Sequence, residues 1–175
     1  MADIDVRVAS ANARAAVESL MQLYIHDFSE LWAGTAEGEL GDNGRFAEDY
    51  PLDPYWRDEG HVPLLIRRAG RLAGFALLNR VSHTGSDLDH NVAEFFVARK
   101  HRRAGVGMAA AQAIFSLYPG QWETAVARRN TAALPFWRKA ITSHPLARDI
   151  EETDVTTAAW NGPVLRFRIL AAIPA

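Results

Sequence analysis

The sequence predicts an α/β (α+β) fold, a single domain over residues 1–175 with one central, mixed but mostly antiparallel, twisted sheet. About six or seven strands and about four flanking helices are expected. Three observations carry this. Short apolar or alternating runs recur between turn residues, which marks strands. Longer stretches place apolar residues at helical spacing. Their order, β-α-(α)-β-β-β-α-β-α-β-β, mixes hairpins with helical crossovers, so one sheet collects strands of both directions.

In chain order, residues 4–9 alternate as a strand, and Asn12 has the chemistry of a helix N-cap. Ala13, Val17, Leu20, Tyr24, Phe28 and Leu31 then form an apolar stripe, so the helix runs to about Leu31. Residues 33–60 are irregular and rich in Gly and Pro, with a short helix near 44–50 or 53–58. Strands His61–Arg68 and Arg71–Val81 flank Ala69-Gly70, the length of a tight hairpin turn. After a polar loop, Ser82–His90, comes a strand at Asn91–Ala98. An Ala-rich helix over 104–118 is closed by Pro119-Gly120, followed by a strand at 122–127 and a helix at 131–141 entered at Asn130. Strands 149–158 and 163–170 are expected around Asn161-Gly162, a favoured hairpin pair.

Composition narrows the function classes. The net charge of −2 gives no general attraction to nucleic acid or anionic membrane, and disfavours a transferase acting on aminoacyl-tRNA. Cysteine is absent, which removes disulfides, thiolate metal sites and a cysteine nucleophile. No His/Asp/Glu grouping has metal spacing, so no metal is expected. The acidic start, Met1-Ala2-Asp3-Ile4-Asp5, is unlike a signal peptide, and no 18-residue apolar run occurs; a cytoplasmic protein is expected.

The run Glu94 to Gly107 is the most informative part of the chain. An apolar strand ends at Val97, five cationic or titratable residues follow from Arg99 to Arg103, and Arg102-Arg103-Ala104-Gly105-Val106-Gly107 opens a helix. Glycine lets backbone N–H groups approach phosphate oxygens, and the helix N-terminus adds free donors and a positive dipole end. The same pattern serves an ordinary strand-to-helix turn with solvated charges. A dinucleotide GxGxxG is ruled out by Met108-Ala109-Ala110 after the second glycine, and a Walker A Lys-Ser/Thr pair is missing.

Arg102, Gly105 and Gly107, directly after an apolar strand, resemble the Arg/Gln-x-x-Gly-x-Gly/Ala pattern of the GCN5-related N-acetyltransferase (GNAT) superfamily. Asn130 and Ala133 match its Asn-x-x-Ala at the next helix, and the resemblance spans nearly the whole chain. Leu23–Glu30 and Glu94–Val97 further resemble a bacterial branch, which brings no substrate with it. The resemblance implies acetyl-CoA as donor, a GNAT-like sheet and direct transfer of an acetyl group to a primary amine of a small molecule or peptide. Phe95, Phe96 and Val97 would pair with the pantetheine arm. Amides from Arg103, Ala104, Gly105, Val106, Gly107 and Met108 would cradle the pyrophosphate, beside Arg102. Asn130, Ala133 and Trp137 would line the other side. Homodimers are frequent in the family.

Amine acetylation needs a base, a polarised thioester carbonyl and a proton for the thiolate. The family often takes that proton from a Tyr seven residues after the helix-opening Asn, where this chain has Trp137, whose indole is no general acid. Hence an acyl-CoA-binding regulatory or interaction module stands as the alternative function. Tyr24, Tyr50 and Tyr55 are candidate donors, Tyr24 also suiting core packing; Tyr118 reads as core. Glu94 is the candidate base by its place on the strand. Alternation from Val97 puts Phe95, Ala93 and Asn91 on one face and Glu94 on the other, away from the site unless a bulge reverses it. Asp89, His90 and Asn91 are alternatives; His26 and Asp27 border the acceptor loop; His83 reads as exposed. Eight acids between Thr35 and Gly60 (Glu37, Glu39, Asp42, Glu48, Asp49, Asp53, Asp58, Glu59), with Tyr50, Tyr55 and Trp56, would suit a cationic acceptor or a merely solvated loop.

Overall fold

The computed structural model describes residues 3–46 and 50–172. Seven strands form one sheet in the order β1-β2-β3-β4-β5-β7-β6. They are β1 (Ile4–Val8), β2 (Val62–Arg68), β3 (Arg71–Asn79), β4 (His90–Val97), β5 (Gly120–Ala125), β6 (Ala147–Thr156) and β7 (Asn161–Ile169). The helices are α1 (Arg14–Ser29), α2 (Pro54–Arg57), α3 (Val106–Leu117) and α4 (Ala133–Thr142). Every strand pair is antiparallel except β4–β5. The helical crossover through α3 makes that pair parallel. No described helix is long and apolar enough to cross a membrane.

Both faces of the sheet are covered. On one, Leu64, Leu78, Val92, Trp122, Leu165 and Phe167 pack with Ile114 and Phe115 of α3 and Trp137 and Ile141 of α4. On the other, Val17, Met21 and Ile25, one turn apart along α1, pack on Leu65, Phe75, Leu77 and Phe96.

Several element ends differ from the sequence reading. Asn12 lies inside a short 3₁₀ turn, Ala11–Ala13, with Ser10 before it, so α1 starts at Arg14 and stops at Ser29. Of the two places for a short helix, the second is realised at Pro54–Arg57; the first runs into 47–49, outside the described residues. Helix α3 begins at Val106, two residues late, because Arg103 and Gly105 are left-handed (φ 58° and 77°) and interrupt the helix. Helix α4 begins at Ala133, because Asn130 closes a turn, its N–H donating to Ala127 O and its carbonyl accepting from Ala133.

The last hairpin turns over Thr157–Trp160, and Asn161 and Gly162 are the first residues of β7. Gly162 is needed for another reason: at φ 150° its Cα passes so close to the next chain segment that a Cβ would meet Val126 O at 2.1 Å. A glycine forced by close approach looks, in sequence, like one forced by a turn.

Candidate active site

Strand β4 is the foundation of the site. His90 pairs with Trp122 and Asn91 with Glu123, and there the β4–β5 ladder stops. From Val92 to Val97 the strand is joined to β3 alone, so its other edge has no strand partner. Two strands that share two residue pairs and then part leave a wedge between them. Phe95, Phe96 and Val97 lie along its open side. Phe95 turns its ring onto Phe136 and Trp137 of α4, at 5.8 and 5.1 Å between centroids, and Phe96 turns under α1.

Strand β4 also carries a bulge. Leu77 faces Glu94 and Leu78 faces Val92, which leaves Ala93 as the extra residue. Val92 and Phe95 therefore both point to α3 and α4, whereas Ala93 and Phe96 point to α1. Glu94 stays opposite Phe95, as alternation requires, and faces the α1 side. This is the face on which the tyrosines gather.

Tyr24 comes to Glu94 from α1 and Tyr50 from the loop before α2, both within hydrogen-bonding reach. Tyr55, buried in α2, reaches Tyr50. Desolvation raises the Glu94 carboxyl above its ordinary range, and the two phenol hydrogen bonds pull it down again without cancelling the shift. Burial and the Glu94 charge raise all three phenols, so each stays protonated at neutral pH. The result is a carboxylate in an aromatic cage, able to accept a proton, flanked by hydroxyls able to donate one.

Behind the cage lie residues that sequence reasoning missed. Asn79 Nδ2 donates to Tyr55 Oη at 3.4 Å, while Asn79 Oδ1 accepts from Val81 N at 3.0 Å and Asn91 Nδ2 at 2.9 Å. Glu123 is fully buried on β5 and accepts from Ser82 Oγ at 2.9 Å, His83 N at 2.8 Å and the Thr84 hydroxyl. A lone acid between Trp122 and Thr124 in an apolar strand was the available signal for Glu123. Asn79, at the end of an apolar run, gave none.

The loop after β4 has the form expected for a phosphate cradle. Arg103, Ala104 and Gly105 are exposed, Val106 anchors in the core, and Met108 packs partly against it. No side chain caps α3, and a Cβ built on Gly105 would meet nothing within 4 Å. Open space thus stands over an uncapped helix N-terminus, next to an unpaired strand edge. Gly107 lies under Phe136, 3.4 Å from its Cβ position, which brings α4 to the loop. These features fit a chain bearing a pyrophosphate and an extended amide arm.

Arg102 is not free for that task. Its Nε donates to Val97 O at 2.7 Å, its other end pairs with Asp27, and it lies over the Phe96 ring at 5.5 Å. Arg102 shapes the loop, and the Val97 carbonyl is taken. Arg99 also pairs with Asp27, at 2.8 Å. Burial by itself would raise the Asp27 carboxyl, but the hydrogen bonds and charges of Arg102 and Arg99 hold it below its ordinary range. Lys100 and Arg103 remain exposed beside the cradle.

The other candidates are dispersed. His26 points outward, with its ring edge against Phe46 at 5.9 Å, away from Glu94. Asp89 accepts from Gln121 N at 2.8 Å, and His90 sits between Tyr118 and Trp122 with its pKa lowered by burial. His83, expected to be exposed, is half-buried and meets Trp160 edge-on at 4.6 Å between centroids; burial lowers its pKa although Glu123 opposes this. Asn130 and Ala133 flank the start of α4. Trp137 is 7% exposed and sits in the main core against Phe95, Phe115 and Phe136. Its packing accounts for its place, and it offers little surface to a ligand.

The acidic segment divides in the same way. Glu37, Glu39, Asp42, Asp53, Asp58 and Glu59 stand at the surface, with Asp53 held by Arg14 and Asp58 by Arg57. Glu48 and Asp49 lie outside the described residues. Trp56 donates to Ala9 O and Ser10 O at 3.2 and 3.3 Å and carries Arg14 over its ring. Among the described residues of this segment, Phe46, Tyr50, Leu52, Tyr55 and Trp56 pack inward. An open recess of about 550 Å³ between α1 and this segment, lined by Met21, Gln22, Leu52, Arg14 and Asp53, shares Tyr50 with the cage.

The family model described as "Acetyltransferase (GNAT) family" matches residues 17–141, which include β4, the loop after it and the residues around Glu94. The chain belongs to the acetyltransferase (GNAT) family. It is thus an acyltransferase, and solved GNAT structures share its fold from end to end at low identity. An aminoglycoside acetyltransferase in complex with coenzyme A superposes with a TM-score of 0.62 at 15% identity, covering 95% of each chain. A GNAT acetyltransferase from Staphylococcus aureus gives 0.58 at 11% identity, over 95% of this chain and 98% of its own. A spermidine N-acetyltransferase chimera from Vibrio cholerae gives 0.55 at 12%, over 96% and 95%. No curated protein sequence matches this GNAT acetyltransferase.

Proposed function

We propose that this protein is an acetyl-CoA-dependent N-acetyltransferase, one domain over its 175 residues, that moves the acetyl group directly to a primary amine of a small molecule or peptide. The observation that carries the reading is the wedge between β4 and β5, which puts an unpaired strand edge, the open cradle at Gly105 and the caged Glu94 around one strand. The neighbour solved with coenzyme A supports the choice of donor. The pantetheine arm would add to the open edge at Phe95 and Phe96, and the pyrophosphate would rest on the amides of Arg103 to Met108.

Glu94 is the base in this reading. The ammonium first loses one proton to water; Glu94 takes the second as the neutral amine attacks the thioester carbonyl, and the C–S bond breaks as the C–N bond forms. Tyr24 and Tyr50, protonated and adjacent, are the groups able to return a proton to the leaving thiolate. The amine would enter by the recess that shares Tyr50. Because that lining holds Arg14 as well as Asp53, it gives a polycation no concentrated negative surface, and one amine on an apolar body suits it better.

The test is CoA release from acetyl-CoA over a panel of amines. Amine-dependent release that falls at least 100-fold in Glu94→Gln is expected. Tight acetyl-CoA binding with no amine accelerating release favours the alternative, an acyl-CoA-binding module without turnover, which the core position of Trp137 suits. Gly105→Val should weaken acetyl-CoA binding at least tenfold by calorimetry, since a branched side chain fills the cradle at a left-handed position. Unchanged affinity there would remove the loop from the donor site.

A further inference from the structure

We infer that the acceptor is a primary amine whose far end carries an oxyanion, a carboxylate or a phosphate, and that Arg45 is the residue that binds it. The inference deepens the proposed transfer to an amine and rests on that reading.

The recess that shares Tyr50 with the cage lies on the face of β4 that carries Glu94. Its Met21 and Tyr50 pack in one apolar cluster with Ala93 and Phe96. At about 550 Å³ it has the volume of a small-molecule site. Its charges are uneven. Among the described residues, three guanidinium groups line it, from Arg14, Arg45 and Arg57, against two carboxylates, from Glu18 and Asp53. Both carboxylates are spent on one partner. Arg14 donates from Nε to Glu18 Oε1 at 2.8 Å and from Nη2 to Asp53 Oδ1, and its guanidinium lies over the Trp56 ring at 5.3 Å. Arg57 pairs at 3.0 Å with its neighbour Asp58, which does not line the recess, and an exposed pair of this kind is weak. Arg45 is exposed and has no ion pair among the described residues.

The backbone that carries Arg45 is nevertheless held on both sides. Arg45 N donates to Asn43 Oδ1 at 2.9 Å, and Arg45 O accepts from Gly41 N at 2.9 Å. Next to it, Gln22 of α1 takes both backbone groups of Phe46. Phe46 N donates to Gln22 Oε1 at 2.8 Å, and Gln22 Nε2 donates to Phe46 O at 3.2 Å. This amide clamp fixes where residue 45 stands against α1. Its guanidinium is left with N–H donors and no acceptor. A planar cation on a fixed backbone suits an oxyanion, which it can hold with two parallel N–H groups.

The recess and the cage thus differ in sign. Glu94, the acid that serves the amine, is reached past Tyr50, whereas the uncommitted cations line the recess itself. An amine with an anionic tail sets each charge against its opposite. A diamine would bring its second ammonium to Arg45, and like charges brought together select against it.

The experiment measures CoA release from acetyl-CoA with matched amines on one alkyl body: the ω-amino carboxylate, the ω-amino phosphate ester, the plain alkylamine and the α,ω-diamine. In wild type, kcat/KM for the better anionic amine should exceed that for the plain alkylamine by about tenfold or more, with the diamine poorest. That ratio should fall about tenfold in Arg45→Gln and be partly kept in Arg45→Lys, the loss appearing in KM rather than kcat. The two anionic arms identify the group. Equal use of anionic and plain amines by wild type, a diamine used as well as either, or a ratio unchanged in Arg45→Gln would overturn the anion site and leave the transfer to an amine standing. Calorimetry with the same amines and the CoA-bound protein reads the ratio without chemistry. Tighter binding of an anionic amine, lost in Arg45→Gln, with no amine turned over would keep the anion site and sink the choice of reaction.

Discussion

Glu94 is a carboxyl whose environment works against its own charge. Burial lifts its pKa above that of an unfolded chain, and the phenols recover part of that cost. The sign for stability follows from linkage. A carboxyl raised in the folded state contributes stability below its unfolded pKa, and loses it as pH rises through the folded value. Glu94→Gln should therefore cost little stability at pH 7, or add some, and this advantage should fade toward pH 4 as the wild-type carboxyl protonates. Thermal melts across that range, beside the loss of turnover, separate the two effects. A variant that is less stable at pH 7 than at pH 4, relative to wild type, would contradict the assigned environment. Alternation in the sequence put Glu94 on the face of β4 opposite Phe95, where it lies; that Tyr24 and Tyr50 converge on that face had no local mark. Tyr24 looked like packing for a similar reason. It is packing and also a donor, and helical spacing reports only the first.

At the scale of elements, α4 is the clearest departure from expectation. Counting from Asn130 put Trp137 opposite the donor loop, as the place where an acidic hydroxyl is missing. The helix starts three residues later than its opening asparagine, and Trp137 points down into Phe95, Phe115 and Phe136. Trp137→Tyr should therefore not raise turnover. It trades indole contacts for a smaller ring and brings a hydroxyl into an apolar core, at a cost of about 1–3 kcal/mol, read as a lower midpoint in denaturant. A gain in CoA release would show that the ring reaches the thioester after all. The turn between β4 and α3 was more legible than α4. Glycines with cationic neighbours after an apolar strand leave a local mark, whereas the direction of a helix face depends on where the helix begins. Arg102 shows the limit of such marks: the motif is present, but the guanidinium is spent on Val97 and Asp27.

Across the whole molecule, Asp27 ties α1 to the loop after β4. It stands near the end of α1 and holds Arg99 and Arg102 of the loop between β4 and α3. Its carboxyl is kept below the ordinary range, so it stabilises the fold above its unfolded pKa, and that stability is lost as pH falls through the folded value. Asp27→Asn should lower stability at pH 7 and converge with wild type in acid. Acetyl-CoA affinity should also fall, because the loop loses its tie; calorimetry at two salt concentrations checks this. Equal stability of the two proteins at pH 7 would mean the pair contributes nothing. None of this coupling was visible in sequence, where residues 27 and 102 are far apart, and fold-level topology was readable only because the order of elements constrains it. The segment before β2 was the least readable part, since its acids mark solvent exposure while Phe46, Tyr50, Leu52, Tyr55 and Trp56 among them pack inward.

The parting of β4 from β5 also changes how the sheet meets water. Amides of β4 on its β5-facing edge between Val92 and Val97 lack a ladder bond in the middle of the sheet, whereas β3 is paired along both edges. They should exchange their hydrogens for deuterium far faster than those of β3, although β4 lies as deep in the strand order. Slowing of exchange at these amides alone would then report, amide by amide, how far along the strand any bound molecule reaches.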